Sequence, residues 1–537
     1  MKFFRRSFSS KNFLLAITIF LSICSHGILR AETARGIVFN DQNANGERDS
    51  GEPGLRNIKV SNGLEIVTTD SEGNYQIDVD DDTILFVIKP RDWQTPVDEQ
   101  NLLQFYYIHK PDGSPDQGYK YAGVEPTGDL PKSVDFPLVA SPDPDEFTMI
   151  VMGDPQPATR QQVRFYANDV IAELIDSPAL FGMSMGDIVH NDLSLFEPVN
   201  AVQGLVGKPW YNVLGNHDIN FDSPDDKYSD ETFERVYGPP NYAFQYGEVH
   251  FVVLDNVVWL GSKDNSYLGG LSDEQLDFVK TYVDGVPRDD LIVICTHIPL
   301  PEIVIDADSK PHSSPEYRKL LEILSDHPRT MSFSAHTHFT HQHFSGKEDG
   351  YTSDAGGEHH HHNVATGSGS WYKGPQDVQG LPDTTMADGA PNGYILATFK
   401  GHDYQLRFKG ARMPAEYQMA IQAPEVIAAK DTVPTKIVVN VFNGNEKSKI
   451  RMRVRGHGGW QVLPQTPGYD QAYQTYQAHN RDTEREENRV LPEAKFTRHL
   501  WSAPLGVALE PGFYVLEVEA TDMYGQKDHG VRLIEVE

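Results

Sequence analysis

Gly215-Asn216-His217-Asp218 directly follows a short apolar run at 210–214, and the same succession of an apolar run and metal-binding side chains recurs along the middle of the chain. The apolar runs lie at 147–152, 179–185, 210–214, 291–295 and 330–334, and each is typical of a buried strand. The clusters that follow them are Gly153-Asp154-Pro155-Gln156, Gly186-Asp187, Gly215-Asn216-His217-Asp218, Thr296-His297 and His336-Thr337-His338. Because ligand sites form at strand ends in open α/β sheets, we expect these side chains to meet.

Taken singly, each cluster is weak evidence, since an Asp after a strand is usually a turn residue and a lone His is usually structural. Together they offer carboxylates, carboxamides and imidazoles in sufficient number for two divalent ions. Two such ions, about 3.5 to 4 Å apart, can hold a phosphoryl oxygen and activate water for in-line attack. The leaving oxygen then needs a proton, and His217 is the best candidate to supply it because Asp218 is its neighbour.

The clusters resemble the signature of the calcineurin-like metallophosphoesterases, D-x-H, G-D, G-N-H-[DE], H and G-H-x-H, over roughly residues 145 to 410. The resemblance implies a set of metal ligands, namely Asp154, Gln156, Asp187, Asn216, His297, His336 and His338.

In that set the resemblance implies that Asp187 bridges two metals. Asp154 and His338 would complete one site, and Asn216, His297 and His336 would complete the other. His217 is implied as the proton donor or transition-state stabiliser, oriented by Asp218.

The sequence departs from the family pattern at two positions. Gln156 stands where the pattern has His, and Ala335 stands where it has Gly. A carboxamide oxygen is a weaker ligand than imidazole for borderline first-row ions, so we expect the first metal site to be more labile or more tolerant of Mn or Mg. Across both sites, Mn, Fe, Zn and Mg all remain open.

The chain has 537 residues, which is too long for one ordinary core and predicts about two to four domains. Its formal net charge of −31 disfavours a nucleic-acid polymer as partner, which leaves a small phosphate ester as the expected substrate. We predict a signal peptide at 1–34, an N-terminal β-sandwich domain at 35–140, a phosphoesterase core at 145–412 and a C-terminal β-sandwich domain at 415–537. The fold class is an α/β core of mixed sheets with flanking helices, between all-β sandwich domains.

The first residues are typical of a targeting segment. A basic start is followed by a twelve-residue apolar run at 13–24, too short to span a membrane stably. Arg5-Arg6 also fits a twin-arginine signal, so we expect export to the periplasm or the extracellular space by either route, with no membrane span after cleavage. Cys295 would then be the one cysteine left in the chain, and its apolar run predicts inert packing.

Behind this segment lies a pattern typical of a calcium loop. Oxygen-bearing side chains stand at loop positions 1, 3, 5, 9 and 12, with Gly46 at position 6 for the sharp turn. These candidate ligands are Asp41, Asn43, Asn45, Asp49 and Glu52. A polar turn without an ion is the alternative, and the flanking segments read as strands.

The stretch at 356–394 is predicted to be loop-like and to line a substrate pocket. Its four consecutive histidines at 359–362 indicate either a metal-capturing or pocket-lining loop or a solvated turn. Trp371 and Tyr372 follow a Gly/Ser-rich segment and can stack on a base, a sugar or a choline-like group. The candidate pocket residues are His359, Trp371, Tyr372, Asp388 and Asn392.

The function predicted from these features is hydrolysis of a phosphate mono- or diester by an exported binuclear enzyme. A phosphodiesterase acting on nucleotides or lipid head groups is the alternative enzyme. A cell-surface binding protein with a weakened catalytic core is the alternative from another class, because Gln156 departs from the pattern.

Overall fold

The computed structural model describes residues 32–116, 118–303, 313–483 and 489–537. They form an N-terminal β sandwich, a core of two mixed sheets with helices and a C-terminal β domain, which confirms the predicted fold class. The predicted signal segment lies outside the described residues except for its last three, which begin the first strand. Among the described helices, none has the length and apolar character that crossing a membrane requires.

The N-terminal domain consists of two four-stranded sheets. Its strands are β1 (Glu32–Asn40), β2 (Lys59–Ser61), β3 (Ile66–Thr68), β4 (Asn74–Val79), β5 (Thr83–Val87), β6 (Trp93–Gln94), β7 (Tyr106–His109) and β8 (Phe136–Ala140). One sheet has the order β4-β1-β8-β6 and the other β3-β2-β5-β7. The strands predicted on the flanks of the loop at 41–52 are confirmed. The last three were not predicted, since β6 is very short and β8 contains Pro137, a residue that demotes a strand signal.

The core domain holds two mixed sheets. The first contains β9 (Glu146–Met152), β10 (Phe181–Ser184), β11 (Trp210–Asn212), β20 (Gly393–Lys400) and β21 (Asp403–Gly410), in the order β11-β10-β9-β20-β21. The second contains β12 (Tyr242–Tyr246), β13 (Val249–Val253), β16 (Leu291–Cys295), β17 (Thr330–Ser334), β18 (His341–Ser345) and β19 (His359–Asn363), in the order β12-β13-β16-β17-β19-β18. A hairpin of β14 (Val257–Trp259) and β15 (Tyr267–Gly269) lies beside them. Strands β16 and β17 are buried throughout, including Cys295, because both faces of their sheet are covered.

Helices follow the strands as predicted. They are α1 (Arg160–Tyr166), a π-helical segment (Ala167–Ile171), α2 (Ala172–Leu174), α3 (Phe196–Gln203), α4 (Glu231–Tyr237), α5 (Asp273–Val283) and α6 (Tyr317–Leu324). The sequence Ser272-Asp273-Glu274-Gln275 forms a capping box at the start of α5, because the Ser272 side chain accepts from Gln275 N while the Gln275 side chain accepts from Ser272 N. In the π-helical segment between α1 and α2, the buried Asp169 binds Arg412.

The histidine run is not a loop. Residues His359–Asn363 form the buried strand β19, which pairs with both β17 and β18. Hydroxyl groups make this possible: His359 bonds Thr330 and Ser332, and His361 bonds Ser332 and Ser334. Burial lowers the pKa of His359 to about 3, so the imidazole is neutral inside the sheet. Both sequence-based readings of this run are therefore wrong.

The described part of the C-terminal domain is mostly β, with the helix α7 and a short 3-10 helix at Ala429–Asp431. It contains β22 (Met419–Gln422), β23 (Val426–Ile427), β24 (Lys436–Val441), β25 (Lys449–Val454), β26 (His457–Leu463), β27 (Gly468–Tyr469), α7 (Gln471–Thr483), β28 (Phe496–Thr497), β29 (Leu500–Pro504), β30 (Gly512–Thr521) and β31 (Lys527–Val536). Sheets of order β22-β24-β29 and β23-β31-β30-β25-β26 enclose its core. Strands predicted at 436–442, 449–455, 513–519 and 531–537 from alternating polarity are confirmed. The polar segment at 465–488, predicted to be a long loop or a helical excursion, contains α7.

Candidate metal centre

The predicted ligands meet where strands of both core sheets end. Asp154, Asp187 and Asn216 lie beyond β9, β10 and β11, which run parallel in one sheet. His297 and His336 follow β16 and β17, which run parallel in the other sheet. The sheets meet at this end, since His297 Nε2 lies 3.3 Å from Asp187 Oδ1.

Tight backbone turns hold these side chains together. Several predicted ligands have left-handed φ angles: Asp154 (35°), Gln156 (41°), Asp187 (51°), His336 (69°) and His338 (57°). Each such conformation costs about 1–3 kcal/mol for a non-glycine residue and persists only where neighbouring contacts impose it. The motif glycines allow close approach, because a Cβ at Gly215 would lie 2.0 Å from Asp187 N. The strain indicates that neighbouring contacts hold these side chains in place.

One group of ligand atoms fits a divalent ion. Asp187, His297 and His336 each offer an atom within 4.8 Å of the others. His297 Nε2 lies 3.1 Å from Asn216 Oδ1 and 3.2 Å from His336 Nδ1. His297 Nδ1 donates to the Met185 carbonyl at 2.8 Å, which leaves Nε2 with its lone pair for a metal. This arrangement brings together all four predicted ligands of the second site.

The first site is marked by an orphaned oxygen. Among the described residues, buried Asp154 Oδ1 has no hydrogen-bond partner, and it lies 3.5 Å from His338 Nε2. Asp154 Oδ2 accepts from His336 N at 2.9 Å, while His338 Nδ1 donates to the Gly369 carbonyl at 2.7 Å. The free oxygen and the free nitrogen therefore face each other, as two ligands of one ion would.

Gln156 lies at this site but presents its amide nitrogen. Nε2 donates to Asp187 Oδ2 at 2.9 Å, and Oε1 accepts from the Trp371 indole at 2.5 Å. The carboxamide oxygen, which is the atom expected to bind metal, is occupied by Trp371. In this arrangement Gln156 donates to the Asp187 carboxylate and turns its oxygen towards Trp371.

His217 lies at the predicted position, with a side chain 25% exposed and Nε2 4.0 Å from Asp187 Oδ2. Its Nδ1 contacts Asn191 Oδ1, and its ring stacks on His190 at 4.4 Å. The expectation that Asp218 orients this ring is wrong. Both Asp218 oxygens are taken by backbone N–H groups, at 3.1 Å from Ile188 N, 3.1 Å from Val189 N and 2.9 Å from Gly215 N. Asp218 therefore holds the ligand loops, and Asn191 orients the imidazole.

The candidate pocket residues divide into two groups. Trp371 and Tyr372 lie at the centre: Trp371 stacks on His338 at 4.0 Å, and the Tyr372 hydroxyl donates to the Pro155 carbonyl at 2.8 Å. His359 is at the far end of β19, about 13 Å along the strand from Asn363 beside the metal loop.

Asp388 and Asn392 hold domains and loops together instead. Asp388 Oδ2 accepts from Thr340 N at 2.9 Å and lies 3.0 Å from His499 Nε2 in the C-terminal domain. Asn392 donates to Asp169 at 2.7 Å and to the Gly367 carbonyl at 2.9 Å. The Asp388 carboxylate and the Asn392 amide nitrogen are thus paired within the protein, which gives both residues a structural role.

Sequence reasoning missed three residues of the centre. Asn191 closely follows the Gly186-Asp187 cluster, and this position in the sequence indicates that it lies near the ligands. Tyr267 lies 5.9 Å from His336 and Phe221 6.5 Å from His217, measured between ring centroids. No motif announces either aromatic residue. His341 and His343 lie on β18 at the sheet edge.

The predicted calcium loop is organised around its acidic residues. Asp41 Oδ2 accepts from Gly46 N at 2.7 Å, and the two Glu52 oxygens accept from Gln42 N and Asp49 N. The amide nitrogens of Asn43 and Asn45 both donate to Asp49 Oδ2, at 2.8 and 2.9 Å. All five predicted ligands therefore belong to one hydrogen-bonded loop. Calcium binding by this loop stays a prediction.

Comparison with known families matches three consecutive parts of the chain. Residues 147–339 match calcineurin-like phosphoesterase, residues 42–122 match the N terminal of calcineurin-like phosphoesterase, and residues 361–527 match its C terminal. Among curated proteins, no match is found.

Similar solved structures include three metallophosphoesterases. A dimetal phosphatase from Danio rerio is 13% identical, with a TM-score of 0.37, over 49% of this chain and 96% of that one. Purple acid phosphatase PPD1 from yellow lupin (Lupinus luteus) seeds is 13% identical, with a TM-score of 0.37, over 66% of each chain. A metallophosphoesterase from Sphaerobacter thermophilus is 16% identical, with a TM-score of 0.21, over 49% of this chain and 89% of that one.

The three family matches follow the order of the three domains, and the central match contains most of the ligand clusters. The ligand atoms of the centre have the chemistry and spacing that divalent ions require. This chain belongs to the calcineurin-like phosphoesterases and is a metal-dependent phosphoester hydrolase.

Proposed function

We propose that the protein is exported and hydrolyses a small phosphate mono- or diester with two divalent ions, Mn, Fe, Zn or Mg. The position of Asp187 carries the proposal. Its Oδ1 lies 3.3 Å from His297 Nε2, and its Oδ2 accepts from Gln156 beside the Asp154 and His338 pair. One carboxylate thus joins the two ligand groups, as a bridging ligand does.

When bound, the two ions would hold phosphoryl oxygens and acidify the attacking water. The groups of the chain position the substrate and move the other proton. The His217 ring is held through Nδ1 by Asn191, so Nε2 is the atom that delivers a proton to the leaving oxygen. Burial lowers the pKa of His217, while the charge of Asp187 opposes this shift. A phosphate anion next to the ring would oppose this lowering and favour the protonated imidazole.

The alternatives differ in what they hydrolyse. Metal-loaded protein should be assayed with nitrophenyl phosphate, bis-nitrophenyl phosphate and phosphocholine esters. Turnover of the first substrate alone indicates a monoesterase, and turnover of the second indicates the phosphodiesterase alternative. Lack of turnover with two metals bound would contradict the proposal and favour a binding protein. The variant Asp154→Asn is the inactive control.

Export is supported by the basic start and the apolar run that follows it. Fractionation of producing cells tests it, because an exported chain is recovered outside the cytoplasm. Replacing Arg5-Arg6 by two lysines distinguishes the routes: it blocks twin-arginine export and leaves the general secretory route intact. Recovery of the full-length chain in the cytoplasm alone would contradict export.

The N-terminal loop at 41–52 is proposed to bind calcium, with a structural role. Its support is the order of oxygen-bearing side chains together with the buried position of Asp41 and Glu52.

A further inference from the structure

Trp371 contacts two basic side chains, His338 and Lys373. Its ring stacks on His338 at 4.0 Å, and the Lys373 ammonium lies 5.4 Å from the ring centroid. Its left-handed φ of 58° is unusual for a bulky residue, so the loop holds the ring in place at some cost. The Lys373 ammonium and the His338 imidazole thus both contact the Trp371 indole, which places Lys373 beside the metal centre.

Lys373 carries a charge that the described residues leave unbalanced. The chain has 77 acidic against 46 basic residues, yet no described carboxylate lies within ion-pair distance of Lys373. Asp377, four residues further on, pairs with Arg412 at 2.6 Å instead. The Lys373 side chain is partly buried, and this burial lowers its pKa. An ammonium that is half removed from water gains strongly from an anionic partner.

His190 adds a second unsatisfied group on the same side. Its ring stacks on His217 at 4.4 Å, and its buried Nδ1 has no partner among the described residues. Burial, the charge of His217 and the charge of Lys373 all lower the pKa of His190, which places Lys373 in its electrostatic surroundings. A neutral imidazole can donate one hydrogen bond to an anionic oxygen.

We propose that Lys373 and His190 form a subsite for a second phosphate group of the substrate, next to the phosphoryl group at the metal centre. The inference rests on the proposed function, because it assumes that a phosphoryl group occupies the metal centre. It names the substrate class as a compound with two phosphate groups, such as a diphosphate ester. Phosphocholine esters are disfavoured, because they would bring a cationic group towards Lys373.

Calorimetric titration of the metal-loaded protein with imidodiphosphate and with inorganic phosphate tests the subsite. Imidodiphosphate carries a second phosphate and resists hydrolysis, so binding is measured without turnover. Lys373→Met should weaken imidodiphosphate binding by about 10- to 100-fold, the usual worth of a charged hydrogen bond, and change phosphate binding by less than about 2-fold. Lys373→Arg should retain most of the affinity, because it keeps the charge.

Lys208→Met is the matched control, since Lys208 precedes β11 at the end opposite to the metal centre. Unchanged phosphate binding in Lys373→Met also shows that the variant is folded, and Lys373→Gln repeats the test with a polar side chain. Equal losses for both ligands, or no loss for imidodiphosphate, would overturn the subsite. If the wild-type protein turned over none of the esters, while Lys373→Met selectively lost imidodiphosphate binding, the proposed function would be overturned and the subsite would stand.

Discussion

The indole nitrogen of Trp371 donates to Oε1 of Gln156 at 2.5 Å, across 215 positions of sequence. An indole N–H is a donor and never an acceptor, so the carboxamide must turn its oxygen towards Trp371. Its nitrogen then faces Asp187 Oδ2 at 2.9 Å. Trp371 thus decides which end of Gln156 contacts the Asp187 carboxylate.

Replacing Gln156 by Leu is therefore expected to leave two metals per chain. The variant removes a hydrogen bond to Asp187 but no lone pair that faces an ion. Elemental analysis after desalting measures the metal content directly. His338→Leu is the matched control, which should fall to one metal because Nε2 faces Asp154. A fall to one metal in Gln156→Leu would show that the carboxamide oxygen is a ligand after all.

Replacing Asp187 by Ala is expected to reduce the metal content towards zero, since a bridging carboxylate serves both ions. Asp154→Ala removes a ligand of one ion and should keep one metal. Each variant removes one buried carboxylate, so their metal contents can be compared in the same elemental analysis. Two metals retained by Asp187→Ala would rule out the bridging role.

Replacing His217 by Ala is expected to keep both metals and to lower turnover by about 10²- to 10⁴-fold, the usual worth of general acid catalysis. The loss should shrink for nitrophenolate, which scarcely needs a proton to leave. Asn191→Leu removes the hydrogen-bond partner of His217 Nδ1. It should lower turnover less than His217→Ala and change the pH profile, because the imidazole is still present as the acid but is no longer held in orientation. A loss of metal from His217→Ala would make it a ligand instead.

The order of strands and ligand clusters could be predicted because both signals are local. An apolar run followed by Asp, Asn or His marks a strand end, and parallel strands bring their ends together. The partners of those ligands are not local. Asp218 stands next to His217 in sequence, yet its oxygens accept from the loop backbone, while Asn191 reaches the ring from another turn. Sequence neighbours are a poor guide to contacts in a tight turn.

The histidine run shows a second limit. Four imidazoles in succession look polar, so a surface loop was the natural expectation for them. Inside the sheet, however, alternate side chains of β17 carry hydroxyl groups. The Ser332 hydroxyl lies between ring nitrogens of His359 and His361, and the Ser334 hydroxyl contacts His361. His359 and His361 are buried because β17, almost thirty residues away in sequence, supplies their hydrogen-bond partners. His360 contacts Tyr404 and Gln342 instead.

Replacing Ser332 by Ala is accordingly expected to destabilise the protein. The hydroxyl contacts His359 Nε2 at 2.8 Å and His361 Nδ1 at 2.7 Å, so its loss leaves two buried nitrogens unpaired. Each unpaired group costs about 1–3 kcal/mol. Urea unfolding measures the change, and Ser266→Ala at an exposed position is the control, with a change below about 0.5 kcal/mol. Equal stability of the two variants would show that the β17 hydroxyls do not stabilise the buried histidines.

Calcium is expected to stabilise the N-terminal domain through the loop at 41–52. A ligand that binds the folded state contributes about 2.7 kcal/mol at one hundred times its Kd, so the unfolding midpoint should rise with calcium concentration. Asp41→Ala should abolish this rise, because it removes the first oxygen ligand of the loop. Asp70→Ala is the matched control: Asp70 also accepts backbone N–H bonds in a turn, from Glu72 and Asn74, but lies outside the loop. Both variants lose turn hydrogen bonds, so the increment caused by calcium, rather than the stability itself, is the quantity to compare. An equal calcium increment in the wild-type protein and Asp41→Ala would show that the ion, if bound, sits elsewhere.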